Sequence, residues 1–141
     1  MDANELASRV AQRMLAAEGT GPAWGLKLEE VRAGYARVSM VVRGDMLNGH
    51  GFAHGGMIFA LADSAFAYVC NGANQASMAA QASIVFLDKV REGETLIAEA
   101  EEAAREGRAG VTRVAVRSAD GRTVAEFTGY SRTMGGAAVE I

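Results

Sequence analysis

The segment Asn48 to Gly72, NGHGFAHGGMIFALADSAFAYVCNG, is the stretch that most restricts how this chain can fold. Four glycines and two histidines crowd its first nine residues, and a long apolar run follows. Between Met46 and Leu87 a single Asp, Glu, Lys or Arg occurs, and it is Asp63, in the middle of that run. Ile58, Leu61, Ala62, Ala65 and Val69 recur at helical spacing and make one apolar stripe. Phe59, Ala60, Phe66 and Ala67 leave the other sides apolar as well, so the predicted helix has to be surrounded by protein. At about 100° per residue, Asp63 lies about 140° round from Ile58 and points away from the stripe.

The flanking sequence supplies the wrapping. WGLKLEEV and YARVSMVV read as strands joined by a turn at Ala33 and Gly34. After the helix, SMAAQASIVFLD, ETLIAEAEEA, GVTRVAVRS and TVAEFTGYSRTM read as four more, separated by REGE, REGR and ADGR, the last carrying the hairpin pair Asp120-Gly121. Asp2 is placed to cap a short N-terminal helix with Leu6, Val10 and Met14 on one side, ending near EGTG before Pro22. That helix is expected to be peripheral, and the tail GGAAVEI is expected to fray. The expectation is an α+β fold, an antiparallel sheet wrapped around one long central helix, as a single domain over residues 1–141.

Composition excludes several classes. With 14 Lys and Arg against 17 Asp and Glu, no basic field points to a nucleic-acid partner. Cys70 is the only cysteine and sits in the apolar run, which fits a small core side chain and a reducing compartment. The start MDANELASRVAQRM has no uninterrupted apolar region of the secretory kind. The run from Gly55 to Cys70 is shorter than the roughly 20 residues that a bilayer requires. A cytoplasmic protein with no membrane partner is expected.

Gly49, Gly51, Gly55 and Gly56 precede the helix start, where unpaired amides and the positive end of the helix dipole can meet an oxygen. The Gly55 amide can polarise a carbonyl there; equally, glycines in such a loop can serve a tight turn with positive φ. GHGFAHG comes close to a dinucleotide loop, but no βαβ unit and no acidic residue about 20 positions on support one. His50, His54 and Asp63 could ligate a metal only if glycines did not break the helix between the histidines, so no metal is expected. Ser64 beside Asp63 lacks the nucleophile-elbow pattern. His54 taken alone suits a cap or a loop hydrogen bond better than catalysis. Asp63, a lone carboxylate in apolar surroundings, suits a base whose pKa desolvation has raised. It lies two helical turns past Gly55, roughly 12 Å along the axis. A second helix, antiparallel across a two-fold axis, would bring the two together and cover the helix's remaining face.

Asn48, then His54-Gly55-Gly56 six residues on, then Asp63 within LADSAFA, resembles the signature of the hot-dog fold acyl-CoA thioesterases, in particular their phenylacetate-pathway branch. The resemblance covers nearly the whole chain. It implies a hot-dog domain, a homodimer that is required for the active site, and pairing of dimers into a homotetramer. It implies Gly55 N–H as carbonyl polariser, Asp63 of the facing subunit as base or nucleophile, Asn48 as a polar contact near the thioester or attacking water, and His54 as a supporting residue. Related hydroxybenzoyl-CoA enzymes have Glu where Asp63 stands and a hydroxyl residue one turn later; here that position is Ala67, and the water-orienting role falls to Ser83.

The substrate implied is phenylacetyl-CoA or a hydroxylated aryl-acyl-CoA, cleaved to free acid and CoA with no cofactor beyond the CoA of the substrate itself. Gly56, Met46, Leu47, Phe52 and Phe59 are expected around the acyl group. Lys89, Arg91, Arg105, Arg108 and Arg132 are candidates for the CoA phosphates, with Lys89 and Arg132 foremost. Two alternatives stay open: a hot-dog acyl-thioester dehydratase or hydratase with His54 as base, and a non-catalytic acyl-CoA binding protein.

Overall fold

The computed structural model covers residues 1–141. Helix α1 (Ala3–Ala17) starts on Asp2, whose carboxylate accepts the Glu5 N–H at 2.8 Å. A second, five-residue helix, α2 (Thr20–Trp24), was not legible in the sequence. Pro22 is its third residue, inside the first turn, where a helix has no use for the missing N–H.

Six strands follow: β1 (Lys27–Arg32), β2 (Tyr35–Val41), β3 (Ser77–Phe86), β4 (Thr95–Glu106), β5 (Ala109–Ser118) and β6 (Thr123–Thr133). They form one antiparallel sheet in the order β1-β2-β4-β5-β6-β3. Register slips at Leu28/Glu30, Ala79/Gln81, Glu102/Ala104 and Val116/Arg117 are the bulges at which the sheet twists and curls. Gly121, at φ 93°, closes the β5–β6 hairpin where a side chain would strain the turn.

The central helix α3 (Gly55–Cys70) lies across the concave face of the sheet and contacts β2, β4, β5, β6 and β3. Ile58, Leu61, Ala62, Ala65 and Val69 are buried, as the stripe predicts, and Phe66 and Tyr68 join them. Gly129 of β6 lets the Phe66 ring lie against the strand, since a Cβ there would stand 2.8 Å from that ring. The opposite side of α3, with Met57, Ala60, Asp63, Ser64 and Ala67, is only half-buried.

Two expectations are corrected. Helix α1 is not peripheral: Ala7, Val10 and Ala11 are fully buried, α1 packs on β1 and α3, and Glu18 at its end accepts the Tyr68 hydroxyl at 2.5 Å. The tail is held as well, because the Asn74 side chain takes both the N–H and the C=O of Val139, at 3.0 and 3.1 Å.

Candidate active site

The loop before α3 is shaped by Asn48, whose Oδ1 accepts the N–H groups of His50 and Phe52 at 2.9 and 3.1 Å. Its own backbone N–H donates to the Phe52 carbonyl at 2.7 Å. Gly51, at φ 84°, is the one glycine of the four that occupies the left-handed region. The Ala53 N–H then donates to Val90 and the His54 N–H to Met46, both at 2.8 Å, which pins the loop on two sides. The Asn48 Nδ2 group donates to nothing within the protomer.

His54 is the N-cap of α3: its Nδ1 accepts the Gly56 N–H at 2.9 Å. The amides of Met57 and Ile58 go to the His54 carbonyl at 2.9 and 3.3 Å. The Gly55 N–H alone among the first four amides has no acceptor. An imidazole that accepts at Nδ1 carries its proton on Nε2, so in this tautomer His54 has no free basic nitrogen for a dehydratase reaction.

Gly55 lines a cleft of about 550 Å³. Ile58, Phe86 and Leu87 make its apolar wall, and Asn48, His50 and Lys89 its polar one. Phe86 is half-exposed, and its ring sits 3.0 Å from where a Cβ on Gly55 would be. The glycine here is therefore needed for space and not for backbone conformation.

Asp63 lies outside this cleft, on the half-buried side of α3. Its carboxylate has no hydrogen-bond or ion-pair partner in the protomer, and desolvation by the surrounding helix pushes its pKa up. Neighbouring Ser64 donates to the Ala60 carbonyl at 2.9 Å, the ordinary helical back-bond of a serine. Burial raises the Cys70 thiol to about 12, which makes it an inert core side chain. No group of three His, Cys, Asp or Glu side chains converges as metal ligands do.

Several sequence-predicted contacts fall elsewhere. Met46 is 3% exposed in the core, with its sulfur accepting the Arg43 N–H, and Leu47 packs against that core. Phe59 stacks edge-on against Phe127 at 5.3 Å, and the Gly56 amide is consumed by the cap, so only Phe52 of the expected acyl-site residues lines the cleft. Ser83 lies on the outer face of β3, because Ala82 and Ile84 are the residues packed on the core, so it cannot orient water beside α3. Arg132 pairs with Met78, at the far end of β3 from Phe86, and Arg105 and Arg108 stand at the same end. Phe86 and Leu87 were missed because they read as ordinary strand residues.

A family model for the thioesterase superfamily matches residues 50–125. The chain is 37% identical over 126 residues to the acyl-coenzyme A thioesterase PaaI of Escherichia coli K12, covering 89% of this chain and 90% of that one. The structure of the E. coli PaaI protein from the phenylacetic acid degradation operon superposes with a TM-score of 0.94 at 35% identity, over 96% of this chain and 99% of that one. A hypothetical thioesterase from Streptococcus pneumoniae TIGR4, solved with coenzyme A, superposes with a TM-score of 0.77 at 26% identity, over 79% of this chain and 90% of that one. Helix, wrapped sheet and family match agree: the chain belongs to the thioesterase superfamily, as an enzyme of thioester hydrolysis built on the hot-dog fold.

Proposed function

We propose that this enzyme hydrolyses acyl-CoA thioesters, with phenylacetyl-CoA and hydroxylated aryl-acyl-CoA as its preferred class, to the free acid and CoA. The unpaired Gly55 N–H, at a helix start inside a partly apolar cleft, carries this reading. Attack on the thioester carbonyl makes its oxygen negative, and that oxygen accepts from Gly55 with help from the positive end of α3. Water adds its oxygen to the acyl carbon as Asp63 takes its proton; the C–S bond then breaks and the thiolate takes the proton back. An attack by the carboxylate itself, giving an anhydride that water later cleaves, calls for the same placement. Asn48 offers Nδ2 to the thioester or the water, and Phe52 and Phe86 flank the cleft where an aryl group would stack.

Asp63 is roughly 12 Å along the axis from Gly55, too far to act on a carbonyl held by the same chain. We infer that Asp63 comes from a second copy whose α3 runs antiparallel. Two features support the pairing: the half-buried side of α3 that carries Asp63, and the unpaired outer edge of β3, where Met78 and Val85 are 63% and 59% exposed. The working form is a homodimer, paired further into a cytoplasmic homotetramer, and sedimentation velocity reads that state directly. The name of E. coli PaaI and the coenzyme A in the S. pneumoniae structure support the substrate class.

Mixed dimers test the shared site. Asp63→Asn and Gly55→Pro should each be inactive as homodimers. Proline suits position 55 because the deleted N–H has no acceptor and His54, at ψ 136°, already has the conformation that precedes proline. Reassorting equal amounts makes half the dimers mixed, each with one intact site, so about a quarter of wild-type thiol release should return. No recovery, with mixed dimers verified and Gly55→Pro folded, rules the shared site out. A wild-type enzyme that releases no thiol from a panel of acyl-CoAs rules out the activity.

A further inference from the structure

Asparagine is followed by glycine twice in this chain, at Asn48-Gly49 before α3 and at Asn71-Gly72 after it. Such a pair is chemically labile, because the glycine's peptide nitrogen has no side chain beside it and can close on the asparagine carboxamide to form a cyclic imide. Closure needs a free nitrogen, an electrophilic carbon and an amide group that is free to leave. The fold treats the two pairs in opposite ways.

At Asn71 every one of these groups is committed. The side chain is 6% exposed, its Nδ2 donates to the carbonyls of Ala67 and Ser77 at 2.9 and 3.2 Å, and its Oδ1 accepts the Ser77 N–H at 2.8 Å. The nitrogen that would attack is spent as well, since the Gly72 N–H donates to the Val69 carbonyl at 3.1 Å.

At Asn48 they are open. Gly49 is exposed and its N–H donates to nothing. The Asn48 Oδ1 accepts from the backbone of His50 and Phe52, at 2.9 and 3.1 Å, which folds the carboxamide back over the Gly49 peptide. Those two donors draw charge from Cγ and stabilise the negative oxygen that forms as a nitrogen adds to it, an oxyanion hole turned on the protein's own side chain. The leaving group is unheld, because Nδ2 donates to nothing in the protomer. Water reaches the residue too, since Asn48 lines the cleft.

We infer that Asn48 is a self-modification site. The Gly49 nitrogen bonds to Asn48 Cγ and gives up its proton; the Cγ–Nδ2 bond breaks, and Nδ2 leaves as ammonia with that proton. Water then opens the ring at either carbonyl and leaves aspartate or isoaspartate at position 48. Both products replace a donor of the cleft by a carboxylate, and isoaspartate also adds a methylene to the backbone just ahead of the Gly55 amide. The modification rests on the loop alone, while its consequence, a gradual loss of thioester hydrolysis, rests on the acyl-CoA reading above.

The test ages fresh wild-type enzyme in mildly alkaline buffer and maps both pairs by digestion and mass spectrometry, with isoaspartate detected by a protein isoaspartyl methyltransferase. Asn48 should convert at least about tenfold faster than Asn71, whose hydrogen bonds have to open before its ring can close. In urea, where the loop geometry is gone, the two rates should converge. Equal rates in the folded enzyme, or a faster Asn71, overturn the inference. Gly49→Ala adds a Cβ that meets nothing within 4 Å, at a φ outside the left-handed region, so the variant should start with wild-type turnover and convert more slowly at Asn48. Ageing as fast as the wild type overturns the ring closure. Thiol release from phenylacetyl-CoA should decline in step with conversion at Asn48, and undiminished release from converted enzyme overturns the consequence. If fresh enzyme releases no thiol at all, the acyl-CoA reading fails on its own account, and the mass map still decides the modification.

Discussion

The imidazole of His54 accepts the Gly56 amide at 2.9 Å and in doing so leaves the adjacent Gly55 amide as the free donor of the α3 start. One residue caps the helix while its neighbour keeps the anion-binding character of an uncapped end. His54→Ala should therefore lose about 1 kcal/mol of stability through the lost cap, a fall in Tm of several degrees, while His54→Ser restores most of it. Turnover should drop far less than in Asp63→Asn, and thermal scans with thiol-release assays check both.

Asp63→Asn should keep the fold and lower turnover at least about 10²-fold. Desolvation holds the folded-state pKa of Asp63 above the ordinary 3.8. A raised carboxyl pKa means that the folded protein binds the proton more tightly than the unfolded chain. The group's contribution to stability is therefore fully present below 3.8 and is lost as pH rises through the folded value. The denaturant midpoint of the wild type, taken relative to that of Asp63→Asn at each pH, should fall as pH rises across this range. The wild-type kcat/KM should rise over the same window as the base ionises.

Gly55→Ala keeps the free N–H but puts a methyl into the cleft, 3.0 Å from the Phe86 ring. Because Phe86 is half-exposed, the ring can swing aside, so the variant should fold with a nearly unchanged Tm. Its kcat/KM should fall about 10- to 100-fold, because the carbonyl no longer sits squarely on the amide.

Gly129→Ala meets the same ring chemistry with no way out. Its Cβ would stand 2.8 Å from Phe66, which is 1% exposed under α3. Overpacking of this kind should cost about 1–3 kcal/mol in chemical denaturation.

Tyr68→Phe removes the hydroxyl that reaches Glu18 from the central helix. The loss should be about 1–2 kcal/mol. Limited proteolysis should open the connection between α1 and β1 first, since this bond ties the end of α1 to α3.

The sequence by itself determined the central helix, the six strands and the glycine-rich loop before the helix, because periodicity, turn glycines and caps act over a few neighbouring residues. It also isolated Asp63, since a lone charge in an apolar run is conspicuous without coordinates. Only the tertiary structure decided what faces what. Counting by twos from buried Ser77 puts Ser83 on the helix side of β3; the bulge between Ala79 and Gln81 reverses the alternation and turns Ala82, Ile84 and Phe86 inward instead. The same reversal brings Phe86 against Gly55, from a strand that begins beyond the end of α3. The docking of α1, the core position of Met46 and the gathering of three carboxylates on Arg122 are likewise long-range packing. No local pattern encodes such contacts, because each depends on where two distant segments of a folded sheet come to rest.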